Sequence, residues 1–346
     1  MREIICCGGS NTSHRTTRQE IFYGGSGGAN LNFEYNSWPE AIHNLYGNKI
    51  YNLGVASNSI DAAVLSIISL ATKLLNENKE ISIIYNCNDF YRPSFYCSKN
   101  FLNQRGVFKK FPNQYLNNYL FSEDDYIGFY LFGGIQNINK AEFESDLIYK
   151  MGLAYSENLF SFEIREIHAL THLLLLQNFC KANNIPYKIF FDFNFFSEHL
   201  NNGFDLDKSN TDSYFNSFFV RKKLLPKTNL KVMEKDPYVN DLFTMLDLNN
   251  CWFYEEENYK WGGIHEWLYK KNEYKENDEK YISLYVESMM QCPNWKSKEN
   301  NDEPYYLSVS HTKEMMKKNQ FFETAHPTYY YWKKFVEEIM ISWNLF

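Results

Sequence analysis

Short apolar runs alternate with amphipathic stretches along the N-terminal part of this chain. Glu3 to Cys7 is an apolar run that stops at Gly8 and Gly9, the pattern of a buried strand ended by glycines. Trp38 to Tyr46 suits a short helix and Lys49 to Leu53 a second strand. Ile60, Val64, Ile67, Ile68, Ala71, Leu74 and Leu75 then recur at helical spacing behind Ser59, a candidate N-cap. Ile81 to Tyr85 reads as a third strand. Strand and helix alternating in this rhythm predict parallel pairing with right-handed crossovers. Further on, Ile164 to Phe179 is a long apolar helix, and Tyr187 to Phe193, after Pro186, is another strand. A last helix starts after Pro327, with Trp332, Phe335, Val336, Ile339, Met340 and Trp343 as its buried face.

Two longer and less regular stretches interrupt this pattern, at about 90–159 and 194–321, both rich in aromatics and Asn. Insertions of this kind carry specificity or partner contacts. Within the second, Lys270 to Lys280 is charged and reads as solvated. No internal repeat is visible, and the expectation is a single domain over residues 1–346 with these two insertions.

Composition narrows the partners. With 346 residues and 44% hydrophobic content, the chain holds enough apolar material for a large core. It has no run of about 18 apolar residues, so no membrane span is expected. The N-terminus lacks a signal-peptide layout, because Ile4 to Cys7 is far too short for an h-region. Seven cysteines without CxxC pairs argue against a disulfide framework or zinc ribbon, and for reduced thiols in a cytoplasmic compartment. A net charge of −7 argues against a phosphate-backbone binder, so no nucleic-acid partner is expected. Aromatics make up 18% of the chain. They could stack on sugars or partner proteins, or reflect the codon bias of an AT-rich genome, which is the plainer reading.

In a parallel sheet, reacting groups gather at the carboxyl ends of the strands. The first strand ends at Gly8-Gly9-Ser10-Asn11-Thr12, the second at Asn52-Leu53-Gly54-Val55-Ala56-Ser57, and the third at Asn86-Cys87-Asn88-Asp89. Ser10 is a candidate nucleophile, and a serine needs a base to activate it. His326 lies in Glu323-Thr324-Ala325-His326-Pro327, where a carboxylate three residues ahead can orient the imidazole. His168 and His172 lie four apart on a helix, but no HExxH glutamate accompanies them; they read as packing residues rather than metal ligands. Gly24 to Gly28 lacks the Lys-Ser/Thr of a phosphate loop and reads as a flexible loop near the active-site mouth.

Taken in order, these segments resemble the conserved blocks of the SGNH/GDSL hydrolases. CGGSNTSH resembles the GDS block, NLGVASNS the second block, NCND the third (GxND), and ETAHP the final DxxHP block. The match runs from about residue 2 to 92 and from 158 to 343. The run YNSWPEAIHNLYGNKIYNLGVASNS is also similar to a branch of the family often encoded by tailed bacteriophages, which would put the protein in a virus particle. The resemblance implies a three-layer α/β/α fold with a flavodoxin-like parallel sheet. It implies hydrolysis of an ester, such as an O-acetyl group on a glycan, with neither metal nor organic cofactor. Carried over by position, Ser10 attacks the carbonyl carbon, His326 takes its proton, and Glu323 holds His326. The backbone N–H groups of Ser10 and Ser57 and the side-chain amide of Asn88 hold the oxyanion.

The chain departs from the family pattern at four positions: Gly9 stands for Asp, Ser57 for Gly, Asn86 for Gly and Glu323 for Asp. Glu323 carries one methylene more than the family's Asp, and Asp192, at the end of its strand, is the next carboxylate to consider behind His326. These departures leave a second class open: a structural or binding protein, associated with a virion, that keeps the fold with weak or no catalysis. The expected partners are a small-molecule or glycan ester and, through the aromatic insertions, other proteins.

Overall fold

The computed structural model describes residues 2–9, 12, 37–54, 58–87, 90, 94–98, 127–131, 154, 162–192, 237–256, 259–264, 267–268, 322–323, 326–327 and 329–346. The chain begins with β1 (Glu3–Cys7), α1 (Trp38–Tyr46), β2 (Ile50–Asn52), α2 (Ile60–Asn76) and β3 (Ile81–Cys87). An antiparallel pair follows, β4 (Ser94–Ser98) with β5 (Ile127–Leu131). Next come α3 (Phe162–Ala182), β6 (Tyr187–Phe191), α4 (Pro237–Thr244) and β7 (Cys251–Trp252). Two small antiparallel pairs, β8 (Tyr254–Glu256) with β9 (Tyr259–Gly262) and β10 (Phe322–Glu323) with β11 (His326–Pro327), precede α5 (Tyr329–Glu338).

Local chemistry explains the boundaries. Ser37 opens α1, and the Glu40 carboxylate reaches back to accept its N–H at 2.9 Å, one arm of a capping box. Ser59 opens α2 by accepting the N–H of Ala62 at 3.4 Å. Gly47 ends α1 in the left-handed conformation that a glycine adopts without strain.

Five strands form one sheet in the order β2-β1-β3-β6-β7, and every pairing in it is parallel. Counted within the sheet this is 2-1-3-4-5, the flavodoxin-like order, so the α/β architecture expected from the sequence is the one observed. Alternation along the strands builds two cores. Ile5, Cys7, Ile83, Tyr85, Ile189 and Phe191 face α2, α3 and α4. Ile4, Cys6, Ile84 and Phe190 face α1 and α5, among them Trp38, Ile42, Trp332 and Phe335. Strands buried on both faces read as continuous apolar runs rather than as alternation, as the sequence of β1 does.

The observed elements differ from expectation in two informative places. β3 runs two residues past Tyr85, because Asn86 and Cys87 pair with Phe190 and Phe191 of β6. The stretch expected to be an irregular insertion at about 194–321 contains α4 and the fifth sheet strand, β7. A strand of two residues carries no period for a sequence pattern to reveal. No described helix is long and apolar enough to cross a membrane.

Beyond α5, the carbonyl of Leu345 accepts the hydroxyl of Ser82, the second residue of β3, at 2.9 Å. Phe346 stacks on Tyr46, the last residue of α1, with ring centroids 4.9 Å apart. The last described residues therefore lie at the amino edge of the sheet.

Candidate active site

The order of strands makes the carboxyl ends of β1 and β3 neighbours at the point where the sheet reverses its winding, the usual place for a ligand in such folds. The loops that leave β1, β2 and β3 here are tied together at their roots. Asn52, the last residue of β2, donates through Nδ2 to the carbonyl of Thr12 at 2.7 Å, and its Oδ1 accepts the N–H of Gly54 at 2.9 Å. Asn58 donates to the carbonyl of Gly8 at 3.3 Å. The Thr12 hydroxyl donates to Oδ1 of Asn86 at 3.3 Å, and Asn86 in turn donates to Oδ1 of Asp192 at 2.8 Å. The N–H of Asp192 donates to the carbonyl of Cys87 at 3.1 Å. Thr12, Asn58, Asn86 and Asp192 are all buried.

Gly8 is required by this arrangement. Its φ is +156°, and a Cβ there would lie 2.3 Å from Oγ1 of Thr12 and 2.8 Å from the carbonyl oxygen of Asn86. On the α2 side of the sheet, Oδ1 of Asn58 and Oδ1 of Asp61 are buried without a hydrogen-bond partner among the described residues.

Burial decides which kind of nucleophile the end of β1 can offer. The Cys7 thiol donates weakly to the carbonyl of Leu53 at 3.6 Å, and burial pushes its pKa up to about 12. Burial, and secondarily the charge of Glu40, holds Cys6 well above the ordinary thiol range. Neither is a thiolate near neutral pH, and a thiol is a poor nucleophile. Cys6, Cys7, Cys87, Cys180 and Cys251 are all buried, and none of them forms a disulfide.

Of the residues singled out in the sequence, Ser10, Ser57 and Asn88 lie outside the described residues, as does the Gly24 to Gly28 loop. Their described neighbours are those just given: Gly9 and Thr12 around Ser10, Gly54 and Asn58 around Ser57, Cys87 and Phe90 around Asn88. Glu323 and His326 are described in backbone only; the β10–β11 register pairs them directly, Glu323 opposite His326. Asp192, the alternative carboxylate behind the histidine, uses Oδ1 to hold Asn86. His168 and His172 do not pack into the core: His168 is exposed, and the rings lie 5.0 Å apart with His172 Nδ1 2.8 Å from the carbonyl of His168. No cluster of three metal-ligating side chains occurs among the described residues.

Sequence reasoning placed Thr12 and Asn86 at strand ends and Asn58 within the second motif, but gave none of the three a role. The available signal was an excess of Asn and Thr at three strand ends, where a parallel sheet has unpaired backbone groups to satisfy. No family model, no curated protein and no solved structure matches the chain.

Proposed function

We propose that this protein is a serine esterase that hydrolyses an ester, such as an O-acetyl group on a glycan, through an acyl-enzyme on Ser10. One observation carries the reading: the roots of the loops bearing Ser10, Ser57 and Asn88 are hydrogen-bonded to one another at the switch point of a flavodoxin-like sheet. The first three quoted motifs thus begin at strand ends that lie side by side, where a nucleophile and oxyanion donors are useful. One further fact supports the same roles. Glu323 and His326 are directly paired across a two-stranded ladder, the closest approach that a ladder offers.

In this mechanism the Ser10 oxygen attacks the ester carbonyl while His326 accepts its proton. The negative charge that develops on the carbonyl oxygen is met by the N–H groups of Ser10 and Ser57 and by the amide of Asn88. Collapse expels the alcohol, which takes the proton from His326. Water then attacks the acyl-serine, giving its proton to His326, and Ser10 leaves with that proton as the acid is released. Glu323 holds the imidazole in the tautomer that presents a bare nitrogen to Ser10.

The test is turnover of p-nitrophenyl acetate and of an acetylated glycan by the full chain. Wild type should hydrolyse the ester, and Ser10→Ala should lower kcat by about 10⁴-fold or more, as loss of a triad nucleophile does. A wild type without turnover above the buffer rate would leave a binding or virion-structural protein as the better description.

A further inference from the structure

We propose that Thr12 and Asp192 are positioning residues for the nucleophile, acting through a buried hydrogen-bond chain of fixed direction that seats the loop carrying Ser10. The proposal rests on the esterase reading above. The direction of the chain follows from which groups can donate. An indole N–H can only donate, and Nε1 of Trp38 donates to Oγ1 of Thr12 at 3.1 Å. The Thr12 hydroxyl thereby keeps its own proton for Oδ1 of Asn86, 3.3 Å away. With its carbonyl turned to Thr12, Asn86 presents its NH₂ to the Asp192 carboxylate at 2.8 Å. The opposite orientation of Asn86 would set a carbonyl against that carboxylate, so only one arrangement satisfies all four groups. Every hydrogen bond in the series runs towards Asp192, and hydrogen bonds aligned in this way reinforce one another.

The rest of Thr12 is equally committed. Its N–H donates to the carbonyl of Gly9 at 3.0 Å, across the position of Ser10. Its carbonyl accepts both Nδ2 of Asn52 at 2.7 Å and the hydroxyl of Ser37 at 3.2 Å. On the other side of Ser10, Gly8 has no room even for a Cβ. The described residues on either side of position 10 are thus tied to β3 and β6 through Asn86 and Asp192. Asp192 acts at a distance: its Oδ1 orients Asn86, and Asn86 orients Thr12. A network of this kind gains little stability over apolar packing. What it supplies is geometry, and a misplacement of about 1 Å at a reacting group costs roughly 10²-fold in rate.

The experiment compares full-length wild type, Thr12→Val, Thr12→Ser and Asp192→Asn. It reads the rate at which a fluorophosphonate labels Ser10, and kcat and KM for p-nitrophenyl acetate. Thr12→Val removes the hydroxyl in an equal shape and should lower both labelling rate and kcat by about 10- to 100-fold with KM nearly unchanged. Thr12→Ser keeps the hydroxyl and should recover most of the rate, which a purely space-filling role would not require. Where Thr12→Val does not fold, Asp192→Asn, which keeps an acceptor oxygen and loses the charge, must show the same loss in kcat alone. A wild type that is not labelled overturns the esterase reading and this proposal together. A labelled wild type with Thr12→Val reacting at the same rate, or losing only in KM, overturns the positioning role and leaves the esterase reading in place.

Discussion

At the scale of single residues, the end of β1 separates two kinds of side chain by burial. Cys7 points into the core under α2 and its thiol is pushed up to about 12 by burial, whereas Ser10 follows three residues later in the sequence. The shift has a consequence for stability with a definite sign. A thiol in the unfolded chain titrates near 9, and the folded chain keeps Cys7 protonated up to about 12. Cys7 therefore costs nothing below about pH 9, and stability falls as the pH rises from there to about 12, by at most about 1.4 kcal/mol per pH unit. Denaturant midpoints at pH 8 and pH 10.5 should show a shallower alkaline loss for Cys7→Ala than for wild type. Equal losses in the two proteins would mean that Cys7 is not the group being forced to ionise.

At the scale of elements, the tightest joint is the turn out of β1. Gly8→Ala places a methyl group against Oγ1 of Thr12 and the backbone of β3 at distances no side chain tolerates. The variant should lose about 2–4 kcal/mol by thermal or denaturant melting, the range for overpacking combined with an unfavourable φ. A loss below about 0.5 kcal/mol, as at ordinary surface sites, would mean that the turn is loosely seated. The elements on either side of this joint were legible in the sequence for physical reasons. The helical spacing of Ile60, Val64, Ile67 and Ala71 and the cap at Ser59 reappear in α2, and Trp38 to Tyr46 is a helix with those bounds. β7 was not legible, since Cys251 and Trp252 earn their place only by pairing with Ile189 and Phe190 across the sheet. The candidate site was legible as a set of strand ends but not as a network. Hydrogen bonds that link positions 12, 86 and 192 join residues far apart in the chain and leave no local pattern.

At the scale of the whole molecule, the sheet is clamped between two unequal layers. The α5 side is aromatic: Phe335 meets Phe190, Trp252, Trp267, Trp332 and Trp343 at ring-centroid distances of 4.9 to 6.1 Å. Phe335→Ala should cost about 3–5 kcal/mol in unfolding free energy, the usual range for emptying such a site. A cost under about 1 kcal/mol would show that this layer contributes little to the clamp. Whether the whole arrangement is a serine hydrolase is decided most directly by intact-mass and peptide analysis of the full chain after exposure to a fluorophosphonate. The account predicts a single adduct, located on Ser10 and absent from both Ser10→Ala and unfolded protein. No adduct on native wild type, or one located elsewhere, would contradict it.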